Sequence, residues 1–192
     1  KTQPRRQVRY ATAGIDVAGH SYGGVVITNA ATGNPNVQSL VYVAAYGPDA
    51  GESVGSLGEL IPGGLIGPAT LDFRPFPAPD GQLMPEGYIK PSVFHDVFAA
   101  DLPRSTTDVM AVSQRPAAVA ALGEPSGVPA WRTIPSWYLV AGADHAIGTE
   151  LERFMAERME AKTVEVESAS HVVMISRPGR TTRLILDAAG RR

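Results

Sequence analysis

Gly19-His20-Ser21-Tyr22-Gly23-Gly24 is the stretch whose reading decides the fold. The apolar run Ile15-Asp16-Val17-Ala18 precedes it, and Val25-Val26-Ile27 with Ala30-Ala31 follow at helical spacing, ending at Gly33. The order is strand, sharp turn, helix. A serine at the apex of such a turn is held in a strained backbone with its hydroxyl exposed, and glycines two positions to either side let strand and helix approach closely. The pattern therefore predicts a nucleophile at Ser21. A glycine-rich turn carrying an idle serine is the bland alternative.

Working outward, 192 residues suit a single domain, and 44% hydrophobic with 19% charged residues is ordinary for a globular chain able to bury a sizeable core. A formal net charge of -2 and a pI near 6.1 give no electrostatic case for nucleic acid or an anionic membrane as partner. The basic segment Lys1 to Arg9 is short and reads as a solvated terminus. With no cysteine there is no disulfide framework, thiol nucleophile or thiolate metal site, which fits a cytoplasmic setting. No apolar run approaches the roughly 18 residues of a membrane span.

Residues 1 to 14 carry no periodicity. After the elbow helix, Asn34-Pro35-Asn36 breaks the chain, and Leu40-Val41-Tyr42-Val43-Ala44-Ala45 reads as a strand buried on both faces. Strand, helix, strand makes a right-handed parallel crossover. From 47 to 135 the character changes, for 13 of the 16 prolines fall there, and a parallel sheet cannot run through them. Two pieces look helical: Ser92 to Asp101, with Phe94, Val97 and Phe98 on one side, and Thr107 to Ser113, with Val109, Met110 and Val112. The whole stretch is expected to form a cap over the carboxyl edge of the sheet. Regular order returns with a third buried strand, Ser136 to Ala141, and a helix from Thr149 to Met159 opened by a Thr149-x-x-Glu152 capping box. Thr163 to Glu167 alternates as an edge strand with one wet face, and a last helix follows Ser176 and Pro178, with Leu184, Ile185 and Ala188 inward.

A serine hydroxyl needs a base within hydrogen-bond reach, and that base needs a carboxylate to hold its tautomer. Of the four histidines, His171 sits four residues past the fourth strand and is the candidate base. His20 adjoins the serine but reads as packing or cavity wall, His95 lies in the cap, and His145 is a loop residue. Asp144, just beyond the third strand, is the candidate acid. Ser21, Asp144 and His171 each follow the carboxyl end of a different strand, where sites in open α/β sheets assemble, and their order along the chain is the one this elbow requires.

These residues resemble those of an α/β-hydrolase, specifically the small bacterial serine esterases similar to plant salicylate-type methylesterases and hydroxynitrile lyases. The resemblance is carried by Gly19 to Gly24, Val41-Tyr42-Val43-Ala44-Ala45, Phe154-Met155-Ala156-Glu157-Arg158 and Ser170 to Pro178, over most of residues 15 to 190. It implies the triad Ser21, Asp144 and His171, with the Tyr22 backbone N–H as one oxyanion donor and no metal or organic cofactor. It also implies a cavity for a small-molecule ester, with His20, Phe94, Phe98, Met110 and Val172 as its expected wall; cap-to-sheet packing is the competing account of the apolar ones. The cyanohydrin-cleaving relatives carry lysine directly after the catalytic histidine, and Val172 stands there, so ester hydrolysis is favoured over lyase chemistry.

The family pattern also has a histidine-glycine strand end and a further strand before the elbow. Here about 14 residues precede the elbow strand, where two strand-helix units of roughly 30 residues each are expected. The expectation is a single partial domain, residues 1 to 192, with its N-terminal strands missing, a cap at 47–135, and an exposed strand edge through which copies self-associate. The competing function class is a catalytically impaired fragment or subunit that binds small apolar ligands or needs a missing N-terminal half.

Overall fold

The computed structural model describes residues 14 to 190. The central sheet holds four parallel strands, β1 (Ile15–Ser21), β2 (Val37–Ala45), β6 (Ser136–Ala141) and β7 (Lys162–Val166), in the order β1-β2-β6-β7. Helix α1 (Gly23–Ala30) makes the crossover from β1 to β2, α5 (Thr149–Arg158) that from β6 to β7, and α6 (Val173–Ser176) and α7 (Pro178–Ala188) close the chain. Gly33, at φ +70°, turns the chain after α1.

Alternation along the two central strands builds a core on each face of the sheet. Leu40, Tyr42, Tyr138 and Val140 pack with Ile27 of α1 and with Leu151, Met155 and Ala156 of α5. Val41, Val43, Trp137, Leu139 and Ala141 face the other way, against Val173 of α6 and Leu184 of α7. Each fully buried Leu, Ile or Val here contributes about 1.5–3 kcal/mol of transfer free energy. The outer strands behave as edges. In β7, half-buried Val164 and Val166 alternate with exposed Thr163 and Glu165. In β1, Ile15 is 49% exposed and Asp16 and Ala18 are also exposed, and among the described residues β2 is its only hydrogen-bonded neighbour.

The expected capping box at the start of α5 is absent. Gly148, at φ +96°, occupies the N-cap position, the Thr149 hydroxyl donates to the Ala141 carbonyl, and Glu152 is buried, accepting the Ala141 N–H at 3.0 Å.

The segment 47–135 contains α2 (Val54–Leu60), β3 (Leu71–Pro77), β4 (Leu83–Ile89), α3 (Pro91–Phe98), α4 (Arg104–Ser113) and β5 (Ala117–Ala118). α3 and α4 stand where helices were expected; α2 and the antiparallel sheet β3-β4-β5 were not foreseen. Prolines hid the sheet, and its register explains why it tolerates them. Lys90 N–H donates to Thr70 and Ala78 N–H to Gln82, so the even-numbered residues of β3 form the hydrogen-bonded pairs. Pro75, paired with Pro85, and Pro77, paired with Leu83, fall between them, where no ladder N–H is missed. In α4, Thr107 and Ala111 are the buried positions, while Val109 and Val112 are 63% and 80% exposed. Only Met110 of the three expected apolar residues turns toward the cap core, packing on Ile89, Phe94, Ala99, Ala111 and Val172.

Candidate active site

β1 ends on Ser21 at φ +54°, a left-handed conformation that costs a non-glycine residue roughly 1–3 kcal/mol and persists only where the surroundings impose it. Here the surroundings are backbone. The Ser21 carbonyl accepts the Tyr46 N–H at 3.1 Å, and a side chain at Gly24 would come to 2.1 Å from the Tyr46 carbonyl oxygen. One at Gly19 would come to 2.5 Å from the carbonyl oxygen of Gly23. Gly23 differs from the sequence-based expectation, since a side chain there would meet no atom within 4 Å. The glycine requirement therefore falls on positions 19 and 24.

Asp144 lies in the turn after β6 and His171 in the loop after β7, and both are buried. His171 Nδ1 donates to Asp144 Oδ2 at 2.7 Å, while Asp144 Oδ1 accepts the N–H groups of Ala146 and Ile147 at 2.6 and 3.0 Å. Burial alone would raise the Asp144 pKa, but His171 and these donors outweigh it and hold the carboxyl well below its usual range. With Nδ1 carrying the proton, Nε2 presents a lone pair. That Nε2 is buried and has no hydrogen-bond partner, so the Ser21 hydroxyl is not yet joined to it.

Two rings fix the imidazole: His20 at 4.6 Å and Phe98 at 4.8 Å between centroids. His20 Nε2 donates to the His171 carbonyl at 2.9 Å, and burial followed by the neighbouring His171 lowers its pKa to about 4, so it is neutral at pH 7. His95 bonds the Thr107 hydroxyl from α3 to α4, and exposed His145 donates to the Asp96 carbonyl.

A cavity of about 890 Å³ lies between cap and sheet, with Ser21, Tyr22, Tyr46, Phe94, Phe98 and Met110 in its wall. Three expected wall residues, Phe94, Phe98 and Met110, are thus in place. His20 and Val172 are not in the wall: the first is occupied behind His171, and the second, 1% exposed, belongs to the cap-to-sheet core. Sequence reasoning missed Tyr46 and Glu152. A signal for the second was present, because Glu152, Met155, Ala156 and Met159 follow an i, i+3, i+4, i+7 stripe and all four are buried, which places a carboxyl on the inward face of α5. Among the described residues no group of three or more His, Cys, Asp or Glu could hold a metal ion, and no helix is long and apolar enough to cross a membrane.

The model of a family described as the alpha/beta hydrolase family matches residues 4–184. The chain belongs to that family. This hydrolase is similar in fold to polyneuridine aldehyde esterase, with 18% identity, a TM-score of 0.72, and 91% of this chain aligned with 71% of that one. A methylesterase from Arabidopsis gives 16% identity and a TM-score of 0.70, covering 94% of the hydrolase and 71% of the relative. Tomato methylketone synthase I, in complex with 2-tridecanone, gives 18%, 0.70, 93% and 72%. No curated protein matches the hydrolase in sequence.

Proposed function

We propose that this hydrolase cleaves carboxylic esters of small, largely apolar molecules through an acyl-serine intermediate. Ser21 is the nucleophile, His171 the base, Asp144 the residue that holds its tautomer, and the Tyr22 N–H a donor to the oxyanion. The buried His171–Asp144 pair carries the reading, since it offers an unpartnered Nε2 beside an elbow whose serine opens into an apolar cavity.

On rotation of its side chain toward Nε2, the Ser21 hydroxyl gives up its proton as Oγ bonds the ester carbonyl carbon. The carbonyl oxygen takes the negative charge, facing the Tyr22 N–H at the start of α1. Collapse breaks the C–O bond to the alcohol, which leaves with the proton from Nε2. Water then repeats the sequence on the acyl-serine, its proton passing to Nε2 and on to Ser21 as the acid departs. Asp144 stays ionised and stabilises the imidazolium formed twice in the cycle. Val172, where cyanohydrin-cleaving relatives carry lysine, is buried in the cap-to-sheet core and brings no ammonium to the cavity.

A fluorophosphonate probe tests the assignment. Labelling should be lost in Ser21→Ala and His171→Ala and largely kept in His145→Ala and His95→Ala. Labelling that survives Ser21→Ala refutes it. The missing bond between Ser21 and Nε2 favours a second reading, an apolar-ligand-binding protein without turnover, which predicts ligand binding with no labelling in the unaltered chain.

A further inference from the structure

Among the described residues Glu152 is the one buried carboxyl that the proposed mechanism does not use. It is fully buried in the first turn of α5, beneath the β6 end that bears Asp144. Its Oε2 accepts the Ala141 N–H at 3.0 Å, the Ala141 carbonyl in turn accepts the Asp144 N–H at 3.1 Å, and its buried Oε1 has no hydrogen-bond partner. Two buried carboxyls held by one residue at the same strand end do not both ionise. The division of donors decides which one keeps the proton. Asp144 accepts from His171 Nδ1, Ala146 and Ile147, whereas Glu152 accepts from Ala141 alone.

We propose that Glu152 is a positioning residue for the triad: a carboxylic acid that donates a hydrogen bond to Asp144 while its other oxygen is held by the Ala141 N–H. It touches no substrate and acts only through Asp144. The acid supplies a fourth donor to the Asp144 carboxylate and, being neutral, leaves a single negative charge facing His171. Both members of the buried pair then have hydrogen-bond partners.

The surrounding groups agree with that charge state. Tyr138 of β6 is buried and Tyr46 half-buried, and both are held neutral, burial being the first cause and the nearby carboxyls adding to it. Glu165 on β7 is a further negative charge and is taken up by Arg153. Among the described residues no cation pairs with Glu152, and burial followed by the neighbouring Asp144 favours its protonated form.

The inference rests on the proposed triad, so the experiment separates the two. Infrared difference spectra between the unaltered chain and Glu152→Gln at pH 7 should show a protonated-carboxyl stretch present only in the former. Glutamine keeps both hydrogen bonds, with its amide N–H on Asp144 and its carbonyl on Ala141. Its maximal rate of fluorophosphonate labelling should therefore stay within about threefold of the unaltered chain. Glu152→Leu keeps neither bond and should lower that rate about tenfold or more with unchanged half-saturation by the probe. A carboxyl stretch that is absent, or that persists in Glu152→Gln, overturns the inference, as does Glu152→Leu labelling at the unaltered rate. An unaltered chain that shows the stretch but never labels refutes the esterase reading and, with it, the positioning role, while the acid–carboxylate pair stands.

Discussion

Adding one methyl group to the elbow, at either of two adjacent glycines, should have opposite effects. In Gly24→Ala the new Cβ would lie 2.1 Å from the Tyr46 carbonyl oxygen and 3.0 Å from both the Tyr46 carbonyl carbon and the Ala45 Cβ. All these neighbours are backbone or a buried alanine, so no side chain can swing aside. Carbon-to-oxygen contact at ordinary distance requires about 1 Å of separation between α1 and the end of β2. Overpacking of this kind costs about 1–3 kcal/mol, and a backbone neighbour places this case at the upper end. At about 3 kcal/mol, a domain of this size loses roughly 6–12 °C in Tm. The same displacement carries Tyr22 and Ser21 with it, and a 1 Å misplacement of reacting groups costs about 100-fold in rate. Gly23→Ala, by contrast, adds a methyl group to open space in the first turn of α1, at a residue without positive φ. It should leave Tm unchanged or raise it, by up to about 1 kcal/mol of helix propensity. Thermal melts and fluorophosphonate labelling of the two variants side by side decide the matter. A Gly24→Ala chain as stable as the parent, or a Gly23→Ala chain that is the worse of the two, refutes the reasoning.

Further outcomes follow from other sites. Asp144→Asn should keep the fold but lower ester turnover by about 10⁴-fold, because the amide N–H opposes the Nδ1 proton and favours the tautomer that blocks Nε2; p-nitrophenyl ester kinetics showing less than a tenfold loss would place the acid elsewhere. Glu152→Gln should gain stability relative to the parent as pH rises above about 4.5, since a carboxyl whose folded pKa is raised contributes fully below its unfolded value and loses that contribution as pH climbs; parallel urea titrations at pH 5 and 8 with no change in the difference would contradict this. Asp144 has the opposite sign, its folded pKa being lowered, so its contribution is present above about 3.8 and lost below, and Asp144→Asn should flatten the acid limb of stability against pH. Met155→Ala empties a fully buried site and removes the sulfur that accepts the Gly47 N–H, for a loss of about 2–5 kcal/mol measured by chemical denaturation.

The sheet was legible because its central strands are continuous apolar runs: Leu40 to Ala45 and Ser136 to Ala141 are buried along their whole length, and no other element of that length and composition fits between glycine and proline breaks. The residues of the proposed triad could be picked out for the same reason, since they follow strand ends. The segment 47–135 was legible only in part. Its helices carry apolar spacing, but β3 and β4 hold three prolines at positions that local reading counts against a strand, and only the pairing register shows that those positions miss no hydrogen bond. The motif Thr149-x-x-Glu152 misled because it matches a capping box in spacing alone; Gly148 took the N-cap role and released Glu152 to the interior. Which apolar residues line the cavity and which fill the core, as with Phe98 against Val172, depends on contacts from distant segments that spacing along one helix cannot report.

The cap grips both loops that carry the proposed acid and base. His145, next to Asp144, donates to the Asp96 carbonyl of α3 and accepts the Leu65 N–H at 2.7 Å, while Ser170, next to His171, bonds the carboxyl of Asp101. For protein engineering this means that the cap is not an interchangeable module. A graft of residues 47–135 from a relative brings a new cavity, but unless it supplies an acceptor at the Asp96 carbonyl and a carboxyl at position 101, it also loosens the two loops whose spacing the chemistry depends on. Libraries that retune substrate choice are better aimed at Phe94 and Met110, which line the cavity, than at Phe98, whose ring also packs on the His171 imidazole.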